Sequence, residues 1–187
     1  ATIEDLMRIA DETQNWEPAA QLLIDALDSP QIDEESSMRI YLSLAKIFDR
    51  ELGMIDQAEN AYLNVLELDE GEPKALAALD RIYETQMRHE ELADVISRRL
   101  QGVYDEEEII ELNFRLAQIY QNQLDELERA VDTYRTVLDV QPAHLDSLKM
   151  LEQIFYQQQR WDDLFEVLES ESEVVDEPDE QAQIYSQ

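Results

Sequence analysis

Sliding the chain against itself by 72 residues lays its apolar residues over one another without a gap. Leu44, Ala45 and Ile47 fall on Leu116, Ala117 and Ile119. Ala58, Tyr62, Val65 and Leu66 fall on Ala130, Tyr134, Val137 and Leu138, and Leu76, Leu79, Ile82, Leu92 and Val95 fall on Leu148, Leu151, Ile154, Leu164 and Val167. A match made almost wholly of apolar residues repeats a buried pattern, not a chemical site. A unit of this size cannot bury its apolar face alone, so it must stack on its neighbours, and the expected architecture is a solenoid of helix pairs. Chains of this kind mostly hold partners.

The punctuation agrees with helices. Three Gly and five Pro in 187 residues are too few for the tight turns of an all-β chain. Apolar periodicity predicts helices over about Ile3–Thr13 with Leu6 and Ile9 inward, then a second after Trp16 with Leu22, Leu23, Ala26 and Leu27. Further helices are predicted over about Glu34–Glu51, Ile55–Leu68, Pro73–Gln86 and Glu90–Leu100, then Glu106–Gln121, Leu127–Val140, Pro142–Gln157 and Trp161–Ser170. An eleventh begins at Pro178. Asp33 is a natural N-cap, and the acids after it suit the positive end of the helix dipole. Breakers such as Pro30, Gly53, Gly71 and Gly102 fall only at the boundaries.

Charge excludes whole classes of partner. The net charge is −31, from 45 acidic and 14 basic residues. Such a field repels DNA, RNA and anionic lipid, so neither nucleic acid nor membrane is expected as a partner. Solubility, a cationic peptide partner and nucleic-acid mimicry each account for the acids. Cys is absent, which removes disulfides, thiolate metal sites and Cys nucleophiles. No apolar run reaches a membrane span and no secretory signal opens the chain, so a cytoplasmic setting is expected. The chain opens on Ala1 with its repeat in mid-unit, as a piece of a longer array would.

Catalytic chemistry finds no foothold. Gly53, Gly71 and Gly102 are too scattered for a phosphate loop. His89 shares the slot of Trp16 and Trp161 and reads as packing, and His144 reads as an exposed surface residue. Neither has metal-ligand spacing. The acidic runs Asp33–Glu35 and Asp105–Glu108 repeat each other but lack the alternating ligands and central Gly of a calcium loop. No catalytic residue, cofactor or metal is expected.

At this point the residues resemble the tetratricopeptide repeat, a helix–turn–helix unit of about 34 residues. Its pattern places an apolar and a small residue in the first helix, an aromatic one a turn later, then small and aromatic residues in the second helix. Leu44, Ala45, Phe48, Ala58, Tyr62 and Val65 fit it, as do Leu116, Ala117, Tyr120, Ala130, Tyr134, Val137 and Pro142, each set with one residue inserted at the turn. Alternate units keep Leu79, Tyr83, Leu92 and Ile96, or Leu151, Phe155, Leu164 and Val167, but put Met7, Asp80 or Glu152 at the usually small position. The resemblance implies a right-handed α-solenoid of antiparallel helix pairs, of bacterial type, with two alternating unit types. The units fall at about 1–31, 32–70, 71–103, 104–142 and 143–175, with a partial unit at 176–187.

In this family the first helix of each unit lines a concave groove. Here those inner positions hold Arg8, Arg39, Lys46, Arg50, Lys74, Arg81 and Lys149, half of the basic residues, opposite seven acids. The family's Lys–Asn clamp for a terminal carboxylate does not recur across adjacent units. The expected partner-binding residues are Arg39, Leu42, Lys46, Lys74, Arg81, Phe114, Gln118, Lys149 and Tyr156. The expected function is a non-catalytic scaffold that binds a peptide or protein partner in the groove; the alternative is a structural spacer or regulatory module in a larger protein. Charge reversal at Arg81 is expected to leave stability nearly unchanged, because exposed charges contribute little.

Overall fold

The computed structural model describes residues 2–30 and 32–174, and all their regular structure is helical. The helix expected from Pro178 and the partial unit at 176–187 lie outside the described residues. The chain forms two compact units, Ala1–Arg99 and Leu100–Gln187. The first holds α1 (Ile3–Thr13), α2 (Trp16–Leu27), α3 (Glu34–Lys46), α4 (Ile55–Leu68), α5 (Pro73–Thr85) and all but the end of α6 (His89–Gln101). The second holds α7 (Glu106–Asn122), α8 (Leu127–Val140), α9 (Leu145–Gln158) and α10 (Trp161–Val174). Connections are short: α1–α2, α2–α3, α3–α4 and α4–α5 pack together in the first unit, and α7–α8, α8–α9 and α9–α10 in the second, as antiparallel neighbours.

Side chains cap the starts of α1, α3, α5, α7 and α9. Thr2 and Asp5 form a capping box at α1: the Asp5 N–H donates to Thr2 Oγ1 at 3.2 Å, and the Thr2 N–H donates to Asp5 Oδ2 at 3.1 Å. Asp33 accepts from the Ser36 N–H at 2.8 Å and Asp105 from the Glu108 N–H at 3.0 Å, so the repeated acidic runs are helix caps. Hydrogen bonding by the Ser36 side chain first, and then by its backbone N–H, favours the ionised carboxylate and holds Asp33 below the usual range. Pro73 opens α5 at its first turn. Pro142 instead lies in a turn before α9, which His144 caps by accepting from the Ser147 N–H at 3.2 Å. His144 is therefore a half-buried cap, not the surface residue its neighbours in sequence suggest.

The inserted residue is absorbed where the third helix ends. The sequence predicts one helix to Glu51, but the α-helix stops at Lys46 and a π-helical turn covers Ile47–Glu51. The Leu52 N–H donates to Ile47 O at 3.0 Å and the Met54 N–H to Phe48 O at 2.7 Å. In the second unit the Leu124 N–H donates to Ile119 O at 3.1 Å and the Glu126 N–H to Tyr120 O at 2.8 Å. Gly53 (φ 64°) and Asp125 (φ 55°) take the left-handed conformation these turns require, which Gly accepts freely and Asp tolerates. A different turn follows α1, α5 and α9. There Gln14, Met87 and Gln159 are left-handed, and the next N–H reaches back five residues, as in a Schellman motif.

The repeated apolar residues form the interior. Ala45, Ala58, Ala117 and Ala130 are fully buried, so helices approach closely there. Tyr62 and Tyr134 fill the space beside them, both buried, and the Tyr134 hydroxyl donates to Gln121 Oε1 at 2.8 Å. The α1–α2 pair departs from expectation. Ile9 and Leu22, placed inward by periodicity, are exposed; Leu23 is buried as expected, and Ala10, Trp16, Ala19 and Ala20 are buried with it.

The atypical first-helix position is handled differently in each unit. Asp80 is buried on α5 and accepts from Arg99 Nη1 on α6 at 2.5 Å. Seventy-two residues on, Glu152 on α9 and Glu171 on α10 occupy those places. Glu171 is buried, and its carboxyl is pushed above the usual 4.5, first by burial and then by the charge of Glu152, with Lys149 opposing.

Two stability predictions follow from this interior. Tyr134→Ala should cost about 3–5 kcal/mol and Tyr134→Phe about 1 kcal/mol, the first removing a packed ring and the second one hydrogen bond. Denaturant titration of both variants checks the order. For Glu171 the folded chain binds the proton more tightly than the unfolded chain. Stability from this group is therefore complete below 4.5 and declines as pH rises through the raised folded value. Glu171→Gln should raise the melting temperature at pH 7 more than at pH 4; an equal shift at both would place the cause elsewhere.

Candidate functional site

In the first unit the inner side chains of α1, α3 and α5 surround an open cavity of about 790 Å³. Ile3, Met7, Leu42, Ala77 and Ala78 give it an apolar lining. Five cations, Arg39, Lys46, Arg50, Lys74 and Arg81, stand around that lining with two carboxylates, Glu4 and Asp49. In a chain of net charge −31 this is a local inversion of sign. Arg39 reaches Glu4 across from α3 to α1 at 3.3 Å. Arg81 Nη2 donates to both oxygens of Asp49, at 2.5 and 2.6 Å, tying α5 to the turn that ends α3. Among the described residues no carboxylate pairs with Lys46, Arg50 or Lys74. Tyr62 meets the floor of the cavity, and its hydroxyl is raised above the usual 10 by burial first and then by the Asp49 charge.

The structure thus gathers Arg39, Leu42, Lys46, Lys74 and Arg81 around one space. The remaining candidates belong to the second unit and have other neighbours. Phe114, half-buried on α7, sits 5.6 Å from the Tyr134 ring and 5.1 Å from His144, edge-on. That is a packing role. Gln118 is half-buried one turn further along α7, and Lys149 is exposed on α9, where its charge acts on Glu171. Tyr156 is exposed and stands 6.0 Å from Trp161, nearly perpendicular to it. Trp161 is itself exposed, whereas Trp16 is buried and His89 half-buried, so the shared slot does not give one environment.

Sequence reading overlooks a cationic clasp present in both units. Arg88 lies 4.4 Å above the Tyr83 ring and bonds Glu59 at 2.6 Å and Glu91 at 2.9 Å. Arg160 lies 4.6 Å above the Phe155 ring, bonds Asp163 at 2.8 Å and reaches Glu128 at 3.3 Å. Each stacks on the end of a first helix while binding carboxylates of second helices, a use that suits the planar guanidinium. The charge and hydrogen bonds of Glu59, with burial first, push the Tyr83 hydroxyl up to about 12. The signal was available in the recurrence of Arg88 as Arg160 and of Glu91 as Asp163 at the 72-residue spacing.

Among the described residues no group of three or more His, Asp or Glu is placed to hold a metal ion, and no helix is long and apolar enough to cross a membrane. The tetratricopeptide repeat family matches residues 39–72 and 110–144. No curated protein matches the chain in sequence. Among solved structures, a MamA of strain AMB-1 is similar with a TM-score of 0.51 and 15% identity, over 88% of this chain and 85% of that one. PilF of Pseudomonas aeruginosa is similar with a TM-score of 0.47 and 15% identity, over 97% of this chain and 78% of that one. At such identities the likeness concerns the fold alone. The chain carries tetratricopeptide repeats, in the all-helical fold that the family implies.

The Arg81–Asp49 pair revises one expectation about stability. Arg81 is half-exposed, but the Asp49 side chain keeps only 8% of its surface in contact with solvent. Removing the guanidinium leaves that carboxylate without its counter-charge, so Arg81→Ala should cost roughly 1–3 kcal/mol. The double variant Arg81→Ala with Asp49→Ala should lose less than the two single losses added together, as a double-mutant cycle by thermal or chemical unfolding would show.

Proposed function

We propose that the chain is a non-catalytic protein-interaction scaffold and that the cavity on α1, α3 and α5 receives an extended segment of a protein partner. One observation carries the reading. The first helices of three consecutive pairs converge on a single apolar floor, and the cations around it outnumber the carboxylates in an otherwise acidic chain. An apolar cleft with a few placed polar groups is the usual form of a recognition site. Repeat proteins present such surfaces because stacking leaves one row of helices facing the same way. The expected partner is protein, with neither nucleic acid nor membrane as a ligand, because the remaining surface would repel an anionic polymer or bilayer.

The test compares three baits in extract from the source cell: the unaltered chain, Lys46→Glu with Lys74→Glu in the cavity, and Arg98→Glu on α6. Proteins retained by the unaltered chain and by the α6 variant, and lost with the cavity variant, are the expected result. Equal retention by all three baits would count against a cavity-bound partner and leave the spacer reading in its place.

A further inference from the structure

We infer that the segment held in this cavity is an internal acidic one, with carboxylates spaced by small or apolar residues, and that Lys46, Arg50 and Lys74 are the groups that bind those carboxylates. The inference rests on the reading of the cavity as a partner site and specifies its ligand. The argument comes from a pairing pattern that the unit leaves incomplete. Along this face, cations of one helix take carboxylates from the next: Arg39 takes Glu4, and Arg81 takes Asp49. Lys46, Arg50 and Lys74 line the same space with no such carboxylate among the described residues. The chain carries 45 acidic against 14 basic residues, yet no acid among the described residues pairs with these three.

Unpaired cations beside an apolar floor suit a ligand that brings its own carboxylates. Leu42, Met7, Ala77 and Ala78 would take the apolar residues between them. Ion pairs formed there are charge-assisted hydrogen bonds, stronger than neutral ones. The acids elsewhere on the chain oppose the approach of such a ligand only over distance. At about 0.15 M salt the screening length is roughly 8 Å, so contacts inside the cavity survive while the outer repulsion is damped. The site therefore selects short acidic segments and rejects long anionic polymers.

The experiment uses the full chain and three eight-residue peptides blocked at both ends, with Glu, Gln or Lys at alternate positions and Ala or Leu between. Blocked ends remove any contribution from a terminal carboxylate. Binding is followed by backbone amide shifts in a two-dimensional NMR titration at about 0.15 M salt. The Glu peptide is expected to shift amides of α1, α3 and α5 and to bind at least tenfold more tightly than the Gln peptide. Lys46→Glu and Lys74→Glu should each weaken it by roughly tenfold, as loss of a charge-assisted contact does. Circular dichroism should show both variants folded, since neither side chain holds a pair that stabilises the unit; Lys46→Gln and Lys74→Gln, which bring no new charge, serve as a second pair. Equal binding of the Glu and Gln peptides at the cavity overturns the acidic ligand and keeps the partner site. No shift on α1, α3 or α5 with any peptide overturns both. Inorganic phosphate that displaces the Glu peptide at equal concentration overturns the peptide commitment in favour of a simple anion site.

Discussion

The close approach of helices at paired alanines is the contact on which the rest of each unit depends. Ala45 and Ala58 lie on the packed helices α3 and α4, and Ala117 and Ala130 on the packed helices α7 and α8, all fully buried. A larger side chain at any of them would push the helices apart and open space around Tyr62 or Tyr134, rings that fit only because the alanines are small. Overpacking of that kind is costly in a close-packed interior. Once those contacts are fixed, the two helices of a pair have one face each inward. In the first unit the outward faces of α1, α3 and α5 then fall on one side, and the cavity they line is the consequence.

This dependence explains what was legible in the sequence. Burial forces apolar residues into a period, so most of the helices and the buried positions of Tyr62 and Tyr134 could be read from spacing alone. Likewise Arg39, Leu42, Lys46, Lys74 and Arg81 could be placed on one face, because the resemblance to the tetratricopeptide repeat assigns them inner positions on first helices. What a charged side chain touches could not be read this way. Arg81 and Asp49 are 32 residues apart, Arg88 and Glu59 are 29 apart, and Asp80 and Arg99 are 19 apart. Long side chains choose among many carboxylates within reach, and composition rich in acid gives no hint of the choice. The π-turn was illegible for another reason. An extra residue announces itself in the count, but the backbone can absorb it as a loop, a bulge or a wider helical turn.

The distribution of charge follows from the same geometry. Many acids cluster at helix starts: Glu34 and Glu35 after the Asp33 cap, and Glu106, Glu107 and Glu108 after the Asp105 cap. There they complement the exposed N–H groups and the helix dipole. Cations are few, and several serve between helices. Arg88 and Arg160 clasp aromatic rings and carboxylates together, and Arg99 neutralises Asp80. The second unit has no cation at the place of Arg99, and there burial keeps the proton on Glu171 to higher pH than a free carboxyl would. Acid at this position costs little while protonated and more when charged, which is why the two units should respond differently to pH.

The division between paired and unpaired cations also decides which substitutions report on what. Arg81 cannot be altered without stranding a nearly buried carboxylate, so a change there mixes folding with binding. Arg39 holds Glu4 only at an exposed surface, where such a pair contributes little. Lys46, Arg50 and Lys74 hold nothing among the described residues and have their charge available. A long ammonium or guanidinium side chain left unpaired in a chain so rich in carboxylates is not explained by stability, since a neighbouring acid would have supplied at least as much. Their placement around an apolar floor is explained if the missing carboxylates arrive from outside. Stacking builds the surface, the Arg81–Asp49 pair ties α5 to the turn after α3, and in the proposed reading the unpaired cations set which ligand the surface accepts.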